Sequence, residues 1–118
     1  MKTFNLSIAG IGNIGSNLVE YLSQNKEYII SRSFIKFNIV GVSAKHINKT
    51  RSFNINKFKW YENPLDLIVN LSPDIFVELI GEEKGISYEL IKTALNNKIH
   101  VVTANKALLA KHGNELFE

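Results

Sequence analysis

The chain has 118 residues, a formal net charge of +3 and no cysteine. This length is sufficient for one domain with a buried core, and the lack of cysteine excludes disulfides, thiolate metal sites and cysteine nucleophiles. No apolar run approaches the ~18 residues that a membrane-spanning helix needs, and polar residues interrupt the amino-terminal apolar stretch, unlike a signal peptide. We expect one cytoplasmic domain over residues 1–118, with no membrane association.

The first predicted strand leads into a glycine-rich turn. Residues 4–9 alternate apolar with small or polar side chains, and a helical pattern follows to about residue 23, carried by Ile14, Leu18, Val19 and Leu22. Between them Gly10, Gly12 and Gly15 form G-x-G-x-x-G, a dinucleotide-binding fingerprint when it joins a strand to a helix. Its glycines allow a tight turn, close approach of a pyrophosphate, and packing of helix on strand. The alternative is a turn without a ligand.

The next predicted elements are a helical segment over residues 28–34 and a strand over residues 37–43. In a dinucleotide site, the end of this second strand usually carries an acid that binds the adenosine ribose. Here it is followed by Lys45, and then by Lys49 and Arg51. A cation at this point favours the 2′-phosphate of NADP, which a carboxylate would repel. The sequence therefore predicts NADP as the preferred cofactor, with NAD as the alternative.

A basic segment follows the second strand. Residues 44–59 are polar and lack periodicity, which is typical of a surface loop, and no carboxylate occurs from Tyr28 to Tyr61. In a domain of low net charge, this segment indicates a local anionic ligand rather than general affinity for nucleic acid, so we expect no nucleic-acid partner. A solvated face without a ligand is the alternative for most of these lysines.

Short elements occupy the middle of the chain. Residues 58–61 predict a short strand, and Asn63 followed by Pro64 predicts the capped start of a short helix. A turn at residues 72–74 precedes a strand over residues 75–80, which ends at Gly81. The glycine would let the backbone come close to a ligand at that strand end.

The next predicted helix has one apolar face, formed by Ile86, Leu90, Ile91, Ala94 and Leu95. A strand over residues 99–103 follows, and a further helix begins at Asn105. Lys106 lies where this strand ends, the edge at which open α/β sheets bind ligands, although an isolated lysine there is more often a surface residue. The alternation predicts an α/β fold of the Rossmann type, with a doubly wound, mainly parallel sheet and helices on both faces. No spacing of residues indicates a metal site.

Five stretches of the chain, taken in order, carry a resemblance to a known protein family. They are GIGNIG at 10–15, VSAK at 42–45 with the two cations after it, FKW at 58–60, VELIG at 77–81, and HVVTANKALLAKHG at 100–113. In this order they resemble the nucleotide-binding domain of homoserine dehydrogenase, the oxidoreductase that interconverts aspartate semialdehyde and homoserine with NAD(P) in threonine and methionine biosynthesis. The last stretch is highly specific, and the resemblance covers nearly the whole chain.

The resemblance implies a set of cofactor-binding residues in the turn, namely Gly10, Ile11, Gly12, Asn13, Ile14 and Gly15. It also implies that Lys45 replaces an arginine that faces the adenosine phosphate, which keeps the charge but not the bidentate geometry. Gly81 would lie near the nicotinamide ribose. Thr103 and Lys106 would line the cleft of cofactor and substrate. Glu82 stands where a second glycine is usual, which places a carboxylate beside that cleft.

The resemblance further implies a substrate-binding and dimer-forming domain that does not occur before Glu118. We expect aspartate semialdehyde and homoserine to bind only with that domain, because hydride transfer needs a positioned substrate and a group that handles the alcohol proton. Lys106 would then support catalysis without sustaining it alone. The expected assemblies are a homo-oligomer or a pair with a separately encoded carboxyl-terminal domain. The alternative function is a non-catalytic dinucleotide-binding or regulatory module, including a degenerate gene product.

Overall fold

The computed structural model describes residues 1–44, 58–80 and 86–104, without the side chain of Asn13. The predictions for Lys45, Gly81 and Lys106, for most of the basic loop, and for the helix from Asn105 lie outside these residues. Within them, no helix is both long and apolar enough to span a membrane.

The described residues form five strands and four helices. The strands are β1 (Lys2–Ala9), β2 (Ile35–Ser43), β3 (Trp60–Tyr61), β4 (Ile75–Glu78) and β5 (His100–Thr103). The helices are α1 (Asn13–Gln24), α2 (Lys26–Ser33), α3 (Asp66–Val69) and α4 (Ile86–Asn96). Strands and helices therefore follow one another in the predicted order, and the second predicted helical segment is the separate helix α2.

All five strands belong to one sheet in the order β3-β2-β1-β4-β5, and each neighbouring pair is parallel. The predicted mainly parallel sheet is thus confirmed. After β1, strands β2 and β3 lie in turn on one side of β1, and strands β4 and β5 then lie on its other side. The order consequently reverses between β1 and β4. In open α/β sheets this is the point at which the ligand-binding crevice lies, outside the carboxyl ends of the strands.

Helices cover both faces of this sheet, as predicted. On one face the β1 side chains Leu6 and Ile8 pack with Val19 of α1. On the other face, Ala9 packs with residues from α3 and α4, including Leu67 and Leu90. Because successive strand residues point to opposite faces, the alternation in β1 supplies both halves of the core.

Two residues of the apolar helical patterns are exposed, and one strand is shorter than predicted. Ile14 continues the apolar pattern of the first helix, yet its side chain is 63% exposed. Ile86 is likewise 40% exposed, and Ser87 takes the buried position beside it because its hydroxyl bonds a buried carboxylate. Strand β4 ends at Glu78, two residues earlier than expected.

The predicted hydrogen bond of Asn63 is present, but Asn63 does not cap the helix, because α3 begins at Asp66 with Leu65 at the N-cap position and no side-chain cap. The Asn63 side-chain oxygen accepts a hydrogen bond from the Leu65 N–H at 3.0 Å, in the turn before α3. We expect Asn63→Ala to lower the free energy of unfolding by about 1 kcal/mol, because this amide loses its acceptor. Asn63→Asp keeps an acceptor and serves as the control. Urea unfolding followed by circular dichroism would measure both, and equal stability of the alanine variant and the wild type would contradict the prediction.

Candidate cofactor site

The turn after β1 requires a glycine at its first position. Gly10 has a φ of +94°, and a Cβ built on it would lie 2.7 Å from Leu79 C and O and from Ile80 N. Its N–H donates to the carbonyl oxygen of Ser43, at the end of β2, at 2.8 Å. Gly10 therefore brings the turn against the chain that leaves β4, at the point where the strand order reverses.

The third glycine of the pattern sets the position of helix α1. A Cβ on Gly15 would overlap the carbonyl oxygen of Gly10. Because Gly15 has no side chain, the first turn of α1 packs directly on the glycine turn. This matches the close packing of helix and strand that the fingerprint predicts.

The second glycine of the pattern has space beside it among the described residues. A Cβ on Gly12 would have no heavy atom of the described residues within 4 Å. Helix α1 begins immediately after it, and the first turn contains no acidic residue. The amide of Ser16 already donates within the helix, to Gly12 O at 2.8 Å, whereas the preceding amides have no partner in the helical pattern. An anion that approached Gly12 would meet these amides and the positive end of the helix dipole.

The neighbouring strand ends complete the crevice. Ser43, the last residue of β2, is buried, and no carboxylate occurs at residues 42–44. In the sheet, Ala9 pairs with Glu78, and Glu78 pairs with Thr103. Thr103 therefore lies two strands from the end of β1, at the same edge of the sheet as the glycine turn.

Glu78 is a residue of this edge that sequence reasoning did not place in the site. Its side chain is fully buried. Oε1 accepts a hydrogen bond from the Thr103 hydroxyl at 2.7 Å, and Oε2 accepts from Ile80 N–H at 2.8 Å and from the Ser87 hydroxyl at 3.1 Å. The sequence contains one indication of this role, an acid inside the apolar run FVELI. An acid in a buried strand needs hydrogen-bond partners in the fold.

The structure brings seven of the predicted site residues to one edge of the sheet, Asn13 by its backbone. They are Gly10, Ile11, Gly12, Asn13, Ile14, Gly15 and Thr103. Ile11 is only 2% exposed and packs in the core, so its backbone rather than its side chain can meet a ligand. The exposed Ile14 can offer its side chain. Among the described residues, no group of three or more histidine, aspartate or glutamate side chains is placed to bind a metal ion.

A parallel sheet of this order, with a G-x-G-x-x-G turn at its switch point, defines a Rossmann-type dinucleotide-binding domain. Residues 10–118 match the family description "Homoserine dehydrogenase, NAD binding domain". The chain belongs to the homoserine dehydrogenase family, of which it represents the NAD-binding domain.

Relatives of known sequence or structure agree. Homoserine dehydrogenase of Pseudomonas aeruginosa is 34% identical over 99% of this chain, which spans 26% of that protein. The crystal structure of S. aureus homoserine dehydrogenase superimposes with a TM-score of 0.88 at 33% identity, over 98% of this chain and 29% of that one. A hyperthermophilic archaeal homoserine dehydrogenase mutant in complex with NADPH shares the fold, with a TM-score of 0.74 at 23% identity, over 98% of this chain and 40% of that one. The chain thus spans about a quarter of the length of the first of these relatives.

Proposed function

We propose that this chain binds NADP(H) in preference to NAD(H) in the crevice above β1 and β4. The observation that carries the proposal is that no described atom lies within 4 Å of a Cβ position on Gly12, at the start of α1 and beside two glycines that the backbone packing requires. The pyrophosphate would bind to the amides that follow Gly12, where its negative charge meets the helix dipole. That an archaeal family member was solved with NADPH supports the choice of ligand.

The remaining site residues follow from this placement. We propose that Lys45 supplies the cation for the 2′-phosphate, because it follows β2 and Ala44 in the chain. Gly81, Thr103 and Lys106 would line the nicotinamide end of the crevice, since they follow or end the strands β4 and β5. The turn contributes backbone amides, and Ile14 contributes an apolar side chain to the cofactor.

We further propose that the family's reaction, the interconversion of aspartate semialdehyde and homoserine, requires a substrate domain in addition to residues 1–118. When bound, NADPH supplies a hydride to the aldehyde carbon, and the oxygen must receive a proton. Lys106 could support this transfer from the crevice. The substrate domain would be continuous with this chain or separately encoded, and the chain alone should show negligible oxidation of homoserine.

Cofactor preference is tested by calorimetric titration of the chain with NADPH and with NADH. We expect the wild type to bind NADPH more tightly, and Lys45→Ala to raise the Kd for NADPH roughly 10-fold while leaving the Kd for NADH unchanged, because a charge-assisted contact is worth about 1.5–3 kcal/mol. Lys26→Ala is the matched control, because it removes the same charge at a place away from the crevice. Lys26 lies beside Phe37 and Asn38, in the amino-terminal half of β2.

Two results would count against the proposal. If neither cofactor binds at millimolar concentration, the chain is not an independent cofactor-binding domain. If Lys26→Ala weakens NADPH binding as much as Lys45→Ala, the effect belongs to the net charge of the protein and not to a phosphate contact at the end of β2.

A further inference from the structure

Glu78 connects three elements beside the crevice. The donors to its carboxylate come from the segment after β4, from the start of α4 and from the end of β5. All three interactions are made by a side chain with no exposed surface. A carboxylate in such a position is retained only if its partners satisfy it, and its removal would leave a partly buried backbone N–H and two hydroxyls without their acceptor.

We propose that Glu78 is a positioning residue for the nicotinamide half of the cofactor, an inference that rests on the proposed binding of NADP(H). It acts first through Thr103. Because the Thr103 hydroxyl donates its hydrogen to Oε1, the oxygen can meet a ligand only as an acceptor. The cofactor group that meets it must therefore be a donor, such as a ribose hydroxyl or the carboxamide N–H of the nicotinamide.

Glu78 also fixes the segment that borders the crevice. Leu79 N–H donates to Ala9 O at 2.8 Å, and Ile80 N–H donates to Glu78 Oε2. The Leu79 carbonyl lies against Gly10. The two residues are thus held between the buried carboxylate and the glycine turn. A shift of this segment would move the nicotinamide end of the crevice relative to the phosphate end.

If Glu78 positions only the nicotinamide half, its substitution should weaken the binding of ligands that contain this half and no others. The test compares NADPH with 2′,5′-ADP, which carries the adenosine and 2′-phosphate but no nicotinamide. We expect Glu78→Gln to raise the Kd for NADPH roughly 10-fold and to change the Kd for 2′,5′-ADP less than about twofold. Thr103→Val, which removes the hydroxyl at similar volume, should give the same pattern, and Thr103→Ser should restore NADPH binding.

Ser87→Ala is the matched control, because it removes a donor to the same carboxylate on the side of α4. It should lower stability in urea and leave both affinities unchanged. If Glu78→Gln does not fold, the Thr103 variants carry the test. The proposal is overturned if these variants bind NADPH as the wild type does, or if NADPH and 2′,5′-ADP weaken equally. A wild type that binds neither ligand refutes the cofactor proposal itself, and this inference with it.

Discussion

Gly10→Ala is expected to lower the free energy of unfolding by at least about 3 kcal/mol. A positive φ alone costs a residue with a Cβ about 1–3 kcal/mol, and here the new atom would also lie 2.7 Å from three backbone atoms of residues 79 and 80. Backbone atoms in a paired segment cannot move aside as a side chain can. Equilibrium urea unfolding would show a lower midpoint and, in the extreme case, no folded baseline.

Gly41→Ala is the control for this prediction. Its Cβ would also be crowded, at 2.5 Å from Leu71 Cδ1 and 3.1 Å from Leu67 Cδ2, but these atoms are the ends of flexible side chains. A change of rotamer relieves such contacts for about 1–3 kcal/mol. The account of Gly10 would be wrong if Gly10→Ala were no less stable than Gly41→Ala.

The glycine turn could be predicted from the sequence because all of its determinants are local. The three glycines, the strand before them and the apolar pattern after them lie within the first 22 residues, and the structure placed them as expected. The same holds for the hydrogen bond of the Asn63 side chain, whose partner is two residues away. Local spacing fixes these features regardless of how the sheet is ordered.

Features that depend on distant pairing could not be predicted. Two of the three partners of Glu78 are 9 and 25 residues further along the chain, and Thr103 reaches it only because β4 pairs with β5 in the sheet. The exposure of Ile14 and Ile86 could not be predicted for a similar reason. Helical periodicity shows which residues share one face of a helix, but not which of them the rest of the fold covers.

Gly12→Ala is expected to weaken cofactor binding strongly while changing the stability of the fold little. The φ of Gly12 is −78°, outside the left-handed region, and the new methyl group would touch none of the described residues. The free energy of unfolding should therefore stay within about 1 kcal/mol of the wild type. The Kd for NADPH should rise roughly 100-fold, equivalent to about 2.7 kcal/mol, because the methyl group occupies the space through which the pyrophosphate reaches the amides of α1.

Ser16→Ala provides the comparison within the same turn. The Ser16 hydroxyl donates to the Ile11 carbonyl at 3.1 Å. The variant therefore removes a hydrogen bond within the turn and adds no atom in the space beside Gly12. We expect it to lose up to about 1 kcal/mol of stability and to keep its affinity for NADPH. Calorimetric titration of both variants, with urea unfolding of each, separates the two effects. Unchanged affinity in Gly12→Ala would place the phosphates elsewhere than above this glycine, because a bound pyrophosphate and a new methyl group cannot share the same space.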